Sequence, residues 1–333
     1  MKEFYDLADF SKQEIEELLQ VANNLEKFPE ANALEGKVLA LLFLNPSLRT
    51  LTSFQASMTR LGGGTFVISP EMSIHGLETK SGIVMDGSAA EHIREAVPVI
   101  SSYADAVGIR ALASRESLEA DLTDSTFNGL KELCDVPMIN LESAIKHPCQ
   151  ALADWKTLDD LNLPQTGSRL VFSWVYHPEA LPLAVPADTI YMAAKRGMDV
   201  TVLRPDEFAL PEPLINRAKT AASENGGLVK EVNIRDEAME NACVLYAGSW
   251  ASTRDYGNKL ADHKARNSYE DWCVDENWFK SAQKACAFMH CLPVRRGVEV
   301  EDEILDGSRS AVIRQAQNRM YVQMAILKYL LVN

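Results

Sequence analysis

The segment VLALLFL at residues 38–44 constrains the fold more than any other part of the sequence. Its side chains are apolar on both alternating faces, which is typical of a strand buried between two layers of a parallel sheet. A turn at residues 45–47 follows at once, and apolar side chains then recur at every third or fourth position as far as Leu61. A buried strand that leads directly into a helix predicts an α/β protein.

The alternation of strand and helix continues along the chain. Strands are predicted at residues 65–68, 106–109, 137–140, 169–174, 200–203, 228–232, 243–247 and 287–290. Helices are predicted from a capping box at Ser11 to near Pro29, and at residues 91–103, 118–133, 149–161 and 317–333. Repeated βα units build parallel sheets, and 333 residues are about twice the usual domain size. The chain is therefore predicted to form two α/β domains, each a parallel sheet flanked by helices, with a boundary near residue 150.

Charge and cysteine content restrict the possible partners. The 33 Lys and Arg against 47 Asp and Glu give a net charge of −14, which disfavours binding to nucleic acid or to an anionic membrane. The six cysteines form no CxxC pair and no zinc-type spacing, which is typical of reduced thiols. The N-terminus is acidic where a signal peptide would be apolar, and no apolar run approaches the ~18 residues of a membrane span. We therefore expect a soluble, cytoplasmic protein.

The motif Ser47-Leu48-Arg49-Thr50 lies between the buried strand and its helix. Free backbone N–H groups at a helix start, a capping hydroxyl and a guanidinium together suit a phosphate dianion. The alternative is an ordinary serine cap followed by a solvated arginine. In so acidic a chain, any anionic ligand needs a local basic pocket of this kind.

Four further polar motifs follow strands or begin helices, where parallel sheets bind their ligands. Taken alone, Arg110 and His147 are more often structural than functional, the motif beginning at His290 is about evenly balanced, and Asn318-Arg319 carries no signal. Together the four motifs predict one convergent site. The motifs are Arg110, His147-Pro148-Cys149-Gln150, His290-Cys291-Leu292-Pro293-Val294-Arg295-Arg296, and Asn318-Arg319 at the start of the closing helix.

In this order and over nearly the whole chain, the motifs S-x-R-T, H-P-x-Q, H-C-L-P-x-R-R and the late arginine resemble the ornithine-type carbamoyltransferase family. The resemblance implies a carbamoyl phosphate-binding domain at residues 1–148, joined by the C-terminal helix 317–333, and an acceptor amino acid-binding domain at 149–316. It also implies a cleft at their junction, a homotrimer with shared active sites, and a role in arginine biosynthesis. No metal or organic cofactor is expected, because carbamoyl phosphate already carries an activated carbonyl.

The resemblance also assigns roles to individual residues. Ser47, Leu48, Arg49 and Thr50 would hold the phosphate, with Arg110 and Arg319 adding positive charge. Arg110, His147 and Thr50 would donate to the carbonyl oxygen, while Gln150 and the carbonyls near Cys291 and Leu292 would accept from the carbamoyl NH₂. The attacking amine must lose a proton, either before binding or to Cys291, His147 or the departing phosphate, and the sequence leaves these routes open.

The absence of one motif bears on which amine accepts the carbamoyl group. Ornithine carbamoyltransferases carry an Asp-x-x-Ser-Met-Gly loop for the charged α-amino group, whereas this chain reads AGSWA at residues 247–251 and SWVYHP at 173–178. Both segments are similar to N-acylornithine carbamoyltransferases, in which residues matching Glu142, His177 and Arg295 contact the acylated substrate. An acylated α-nitrogen carries no charge, so it needs no acidic partner.

Within that branch Ala90 favours a succinyl over an acetyl group, because the acetyl enzymes carry a glutamate there and the succinyl enzymes a proline. Four positions depart from these patterns. Both acyl-specific types have a Trp from the neighbouring subunit where this chain has His75, and a Lys where it has Gly248. Leu51 stands in place of the Arg that normally follows S-x-R-T, and Glu299 stands where the acetyl enzymes have a Lys. N-Acetylornithine or another amine as acceptor, or a catalytically silent paralogue that only binds carbamoyl phosphate, are the alternatives.

Overall fold

The computed structural model of the protein describes residues 3–69, 76–79 and 82–332. The chain divides into two compact units. The first unit contains Met1–Ala113, Glu119–Cys149 and Arg319–Asn333, and the second contains Ser114–Leu118 and Gln150–Asn318. Each unit has its own parallel sheet and its own buried apolar cluster. The predicted α/β fold class with two helix-flanked parallel sheets is confirmed.

The regular elements are numbered in chain order. The strands are β1 Glu3–Phe4, β2 Val38–Phe43, β3 Gly64–Ile68, β4 Leu77–Glu78, β5 Glu91–His92, β6 Ala106–Arg110, β7 Met138–Glu142, β8 Arg169–Trp174, β9 Asp199–Leu203, β10 Leu228–Val232, β11 Val244–Gly248 and β12 Ala287–Met289. The α-helices are α1 Lys12–Lys27, α2 Leu48–Arg60, α3 Ile93–Ser102, α4 Leu118–Leu122, α5 Ser125–Lys131, α6 Pro148–Asp160, α7 Ala184–Arg196, α8 Glu212–Asn225, α9 Arg235–Met239, α10 Lys259–Arg266, α11 Asp302–Leu305 and α12 Val312–Leu331. Short 3₁₀ helices lie at Leu7–Asp9, Asp206–Phe208, Asn267–Tyr269 and Glu276–Phe279.

The sheet of the first unit has the strand order β1-β7-β6-β2-β3, and its paired strands run parallel. From β2 the chain moves outward to β3 on one side and then to β6 and β7 on the other. The order therefore reverses between β2 and β6, and ligands of such sheets bind at the carboxyl ends beside the reversal. At this edge of the sheet α2 begins after β2, and β6 ends at Arg110.

The ladder between β6 and β7 contains an irregularity that matters for the site. Ile109 pairs with Asn140, but the next residue, Arg110, pairs with Glu142. Leu141 is thus an extra residue in β7, and the shift resembles a β-bulge in its effect on side-chain placement. It brings a carboxylate opposite the arginine at the end of β6.

Gly108 provides space for the extra residue. A Cβ atom on Gly108 would lie 2.9 Å from Cδ2 of Leu141. We expect Gly108→Ala to lower the free energy of unfolding by about 1–3 kcal/mol, because the added methyl group overpacks a closed core. Chemical denaturation measures this change. Gly129→Ala in α5 is the matched control, since a Cβ there meets nothing within 4 Å, and alanine is expected to stabilise that helix. Equal stability changes in the two variants would contradict the expectation.

The sheet of the second unit has the order β10-β9-β8-β11-β12, again with parallel pairs. Its order reverses between β8 and β11. His177 lies shortly after β8, and His290-Cys291 follows β12 directly. The strands pack on a buried cluster that includes Val171, Leu245 and Phe288.

Three predicted elements differ from the structure. The helix predicted at 118–133 is divided into α4 and α5, because Asp124 between them has a φ of 54° and a left-handed residue cannot continue a helix. The strand predicted to end at residue 140 continues to Glu142 through the irregular pairing. The predicted helix at 91–103 begins at Ile93, since Glu91–His92 pairs with Leu77–Glu78 instead.

The closing helix also begins earlier than predicted. It starts at Val312 rather than at 317, so the prediction that Asn318 and Arg319 stand at its start was wrong. No glycine or proline interrupts residues 312–319, and nothing local therefore ends the helix there. Both side chains lie about two turns inside α12 and are buried. Among the helices in the described residues, none has the length and apolar character needed to cross a membrane.

Candidate active site

The first cluster of site residues lies at the start of α2. Ser47 is its N-cap: the hydroxyl accepts from the backbone N–H of Thr50 at 3.3 Å and donates to the Thr50 hydroxyl at 2.9 Å. Arg49, in the first turn, is half-buried, whereas Leu48 is 74% exposed. The cap leaves the N–H groups of the first turn and the positive end of the helix dipole at the carboxyl edge of β2, which favours an anion.

Arg319 joins this cluster from α12. Its Nη2 donates to Oγ1 of Thr50 at 2.6 Å, and the arginine is buried. The Thr50 hydroxyl therefore accepts from both Arg319 and Ser47. A hydroxyl has two lone pairs and one hydrogen, so with both lone pairs used it is oriented as a donor. An arginine remote in sequence thus sets the direction of the Thr50 O–H.

Arg110 and His147 share one buried carboxylate. Nη1 of Arg110 donates to Oε2 of Glu142, and Nε2 of His147 lies 3.4 Å from the same oxygen. All three residues are buried. Burial alone would raise the pKa of Glu142, but the neighbouring Arg110 guanidinium lowers it below its usual value. Glu142 is therefore an anion that partly neutralises the cations around it.

Three arginines of the first unit, Arg49, Arg110 and Arg319, act on one another electrostatically. Burial lowers the pKa of Arg319, and the charges of Arg49 and Arg110 lower it further, whereas Glu142 opposes them. The same arginines lower the pKa of His147. Guanidinium groups from α2, β6 and α12 are thus gathered in one place, with a single buried Glu142 carboxylate among these partners. Such a group of cations suits a ligand that carries two negative charges.

The burial of His147 predicts a pH dependence of stability. Burial lowers its pKa from 6.5 to about 3, so the folded protein keeps the imidazole neutral while the unfolded chain protonates it. Stability is then fully present above about pH 6.5 and falls as the pH decreases towards 3, by up to about 1.4 kcal/mol per pH unit. Urea unfolding of the wild type and of His147→Asn between pH 5 and 8 measures the slope.

The His147→Asn variant should lack this part of the slope, because asparagine does not titrate. His263→Asn is the control, since His263 is exposed on α10 and its replacement should leave the slope in place. Identical slopes in the wild type and His147→Asn would show that the imidazole is protonated in the folded protein.

The second unit places the motif beginning at His290 in a fixed loop after β12. Nδ1 of His290 accepts from the backbone N–H of Leu292 at 2.9 Å, and Leu292 has a φ of 56°. Since Nδ1 accepts, a neutral His290 carries its proton on Nε2, which lies 3.4 Å from Oε1 of Glu299. Oε2 of Glu299 accepts from the backbone N–H of Arg295 at 2.7 Å. The buried Glu299 therefore contacts His290 with one oxygen and Arg295 with the other, at the two ends of the loop that contains Cys291.

His177 and Arg295 are hydrogen-bonded to each other. Nε of Arg295 donates to Nε2 of His177 at 3.0 Å, and Nδ1 of His177 lies 2.9 Å from the carbonyl of Glu179. Burial lowers the pKa of His177, which favours the neutral ring. The backbone N–H of Glu179 also donates to Nδ1 at 2.9 Å. Arg296 instead pairs with two exposed carboxylates of α11 and the residue after it, which separates it from this pair.

Gln150 lies in the first turn of α6, and its Nε2 donates to Oδ1 of Asp154 at 2.8 Å. Sequence reasoning missed Asp154, together with its partners Gln315 and Tyr246. The spacing of four residues between Gln150 and Asp154 places both on one face of a helix and was an available signal. No such signal marked Gln315, because it is remote in sequence.

The structure thus brings the predicted residues together in two groups, each within one unit. The first contains Ser47, Leu48, Arg49, Thr50, Arg110, Glu142, His147 and Arg319, and the second contains Gln150, His177, Cys291, Leu292 and Arg295. His75 lies outside the described residues. Across the parts of the chain that the structure describes, no group of three or more His, Cys, Asp or Glu side chains is arranged to hold a metal ion.

Comparisons with known proteins show which family the chain resembles. The aspartate/ornithine carbamoyltransferase carbamoyl-P binding domain matches residues 2–160, and the Asp/Orn binding domain of the same family matches residues 184–330. An N-acetylornithine carbamoyltransferase of Xanthomonas campestris pv. campestris is 35% identical over 330 residues, which are 98% of this chain and 97% of the relative. An N-succinylornithine carbamoyltransferase of Bacteroides thetaiotaomicron is 30% identical over 335 residues, or 99% of each chain.

A solved structure of N-acetyl-L-ornithine transcarbamylase has the same fold, with a TM-score of 0.95 at 34% identity, and the match covers 99% of this chain and 100% of the other. That protein is a glutamate-to-alanine mutant complexed with carbamyl phosphate and N-succinyl-L-norvaline.

Two matched domains and relatives that span the whole chain define the class: the chain belongs to the aspartate/ornithine carbamoyltransferase family. It is a carbamoyltransferase, and within the family it falls in the N-acylornithine branch. The resemblance drawn from the sequence motifs is confirmed.

Proposed function

We propose that this carbamoyltransferase moves the carbamoyl group of carbamoyl phosphate to the side-chain amine of N-succinyl-L-ornithine, in arginine biosynthesis. The observation that carries the donor half is the gathering of Arg49, Arg110 and Arg319 around the capped start of α2. The acceptor half is supported by Ala90 and by the lack of an acidic loop for a charged α-amino group.

In the proposed reaction, the start of α2 holds the phosphate. The first-turn N–H groups, the guanidinium of Arg49 and that of Arg319 balance its two negative charges. The Thr50 hydroxyl, turned into a donor by Arg319, adds a directed hydrogen bond. As the bond between the carbonyl carbon and the phosphate oxygen breaks, the growing charge on the phosphate stays within this ring of donors.

The carbonyl oxygen gains negative charge as the amine attacks. Arg110 and neutral His147 are the proposed donors to it, and each such donor contributes about 10²–10³ in rate. Because His147 remains neutral, it donates a hydrogen bond without adding a second full charge beside Arg110. The remaining acceleration comes from holding donor and acceptor in position.

The acceptor nitrogen attacks as a free amine and forms a C–N bond, and it gives up one proton on the way to the product. Of the three candidate proton acceptors, Cys291 and the departing phosphate are favoured over His147, because burial lowers the pKa of His147 and disfavours its protonated form. His177 and Arg295 are proposed to contact the acylated part of the substrate. Their mutual hydrogen bond fixes the Arg295 side chain, which is otherwise exposed.

Two observations favour the succinyl group. The exposed Ala90 adds no carboxylate that would repel the succinyl tail. A glutamate-to-alanine mutant of an N-acetyl-L-ornithine transcarbamylase is complexed with an N-succinyl ligand, so a site of this type without one glutamate can take such a ligand. N-Acetylornithine is the second candidate, because the relatives at 35% identity are named for it.

The test is phosphate release from carbamoyl phosphate in the presence of N-succinyl-L-ornithine, N-acetyl-L-ornithine or L-ornithine. We expect kcat/KM for the succinyl compound to exceed the others by at least about tenfold, the equivalent of one 1.4 kcal/mol interaction. Ala90→Glu should reverse that preference by charge repulsion. Ala90→Gln, with the same size and no charge, separates repulsion from crowding.

Each other outcome has a definite meaning. A preference for L-ornithine would show that the argument from the missing acidic loop is wrong, and one for N-acetyl-L-ornithine would replace the proposed acceptor. No stimulation by any amine would instead identify a silent paralogue that binds carbamoyl phosphate.

We also propose a cytoplasmic homotrimer, as the family resemblance implies. Light scattering on the purified protein should then give three times the mass of the 333-residue chain, and the mass of a single chain would refute the trimer.

A further inference from the structure

Asp154 is a buried carboxylate that the proposed reaction does not use. It lies on α6, one turn after Gln150, and its side chain is fully buried. Its Oδ1 accepts from Nε2 of Gln150 at 2.8 Å and from Nε2 of Gln315 at 2.7 Å. Two amide NH₂ groups thus converge on one carboxylate oxygen.

This convergence fixes the orientation of both amides. An amide side chain has a donor NH₂ at one end and an acceptor oxygen at the other. Because Asp154 takes both NH₂ groups, the two carbonyl oxygens face away from it. Oε1 of Gln315 accepts from the backbone N–H of His290 at 3.0 Å, at the point where the loop with Cys291 begins. Oε1 of Gln150 is correspondingly presented as an acceptor.

A carbamoyl group has an NH₂ that needs an acceptor, and a flipped Gln150 would present a second NH₂ to it. We propose that Asp154 is a positioning residue that selects carbamoyl phosphate over inorganic phosphate by holding the Gln150 carbonyl towards the carbamoyl NH₂. Through Gln315, the same carboxylate fixes the backbone of His290. This inference rests on the proposed function and on the contact with the carbamoyl NH₂ that the family resemblance gives to Gln150.

The experiment compares the affinities for carbamoyl phosphate and for inorganic phosphate by calorimetry. Asp154→Asn keeps the shape but replaces the anionic acceptor with an amide, whose NH₂ competes for Oε1 of Gln150, so that the Gln150 NH₂ is no longer held inward. We expect carbamoyl phosphate binding to weaken about 30-fold, in the range for one lost and one unsatisfied hydrogen bond. Inorganic phosphate has no NH₂ and loses no hydrogen bond, so its affinity should change less than about twofold.

A double variant tests the orientation directly. In Gln150→Glu with Asp154→Asn the amide and the carboxylate exchange places and the total charge is unchanged. The new NH₂ at 154 then donates to the carboxylate at 150, which still offers an acceptor oxygen to the carbamoyl group. The double variant should regain at least about tenfold of the lost carbamoyl phosphate affinity, the equivalent of one hydrogen bond.

The control is Thr157→Val in the same helix. Thr157 is buried and donates to the carbonyl of Ala153, but it has no contact with the amide of Gln150 among the hydrogen bonds of the described residues. This variant measures how much the loss of a buried polar group in α6 by itself weakens ligand binding. It should leave the ratio of the affinities for carbamoyl phosphate and inorganic phosphate unchanged.

The outcomes separate the inference from the function on which it rests. A wild type that binds carbamoyl phosphate no more tightly than phosphate would refute the proposed donor. With a selective wild type, an equal loss of both affinities in Asp154→Asn, or no loss, would overturn the positioning role. So would a double variant that is no better than Asp154→Asn.

Discussion

Arg49→Ala is expected to lower kcat/KM for carbamoyl phosphate by about 10³-fold, at the upper end for removal of one donor from a charged transition state. Arg49 supplies a guanidinium in the first turn of α2, where the helix dipole and the Ser47 cap already favour an anion. The remaining arginines cannot replace it: Arg319 is held by Thr50 and Arg110 by Glu142. Steady-state kinetics with the preferred amine measures the loss.

Two variants control this experiment. Arg60→Ala removes an exposed arginine from the last turn of the same helix and should change kcat/KM less than about twofold, as for a solvated charge. Arg49→Lys keeps the charge but not the planar fork, and an intermediate loss is expected. A rate near that of the wild type in Arg49→Ala would remove Arg49 from the site.

Glu142→Gln is expected to lower the free energy of unfolding by about 3–5 kcal/mol, as for removal of one partner from a buried ion pair. Glu142 is the buried carboxylate that accepts from Arg110, and Arg319 and His147 act on it as well. Without its charge, Arg110 is left buried beside other cations. Urea denaturation of the variant and the wild type measures the difference.

Added inorganic phosphate should restore more stability to Glu142→Gln than to the wild type, because a dianion replaces the missing negative charge. Asp306→Asn is the control: it breaks an exposed pair with Arg296, with side chains 65% and 51% exposed, and should cost less than about 1 kcal/mol. A similarly small loss in Glu142→Gln would mean that water reaches the Arg110 pair.

The sequence predicted most of the elements because their signals are local. A few consecutive residues are enough to recognise each of three features: the apolar β2, the capping box at Ser11 and the cap at Ser47. The structure has all three. Strand ends bearing Arg110 and His290 were likewise recognisable, since polar residues follow apolar runs there. These signals were sufficient for the fold class and for most of the candidate residues.

The remaining features depend on residues that are distant in the sequence. The extra residue Leu141 in β7 is visible only against the register of β6, so the contact between Arg110 and Glu142 could not be predicted. Asp154 and Gln315 are 161 positions apart. The early start of α12 was missed for a related reason: Gln315 and Asn318 in its first turns are buried against Asp154 and Thr157, which are distant in the sequence.

The hydrogen bond between Thr50 and Arg319 spans 269 positions, and it has a consequence for synthesis on the ribosome. Translation delivers α2 early and α12 last, so a nascent chain has the capped helix start long before it has the guanidinium that orients Thr50. We therefore expect the complete set of phosphate donors to form only after α12 has been synthesised.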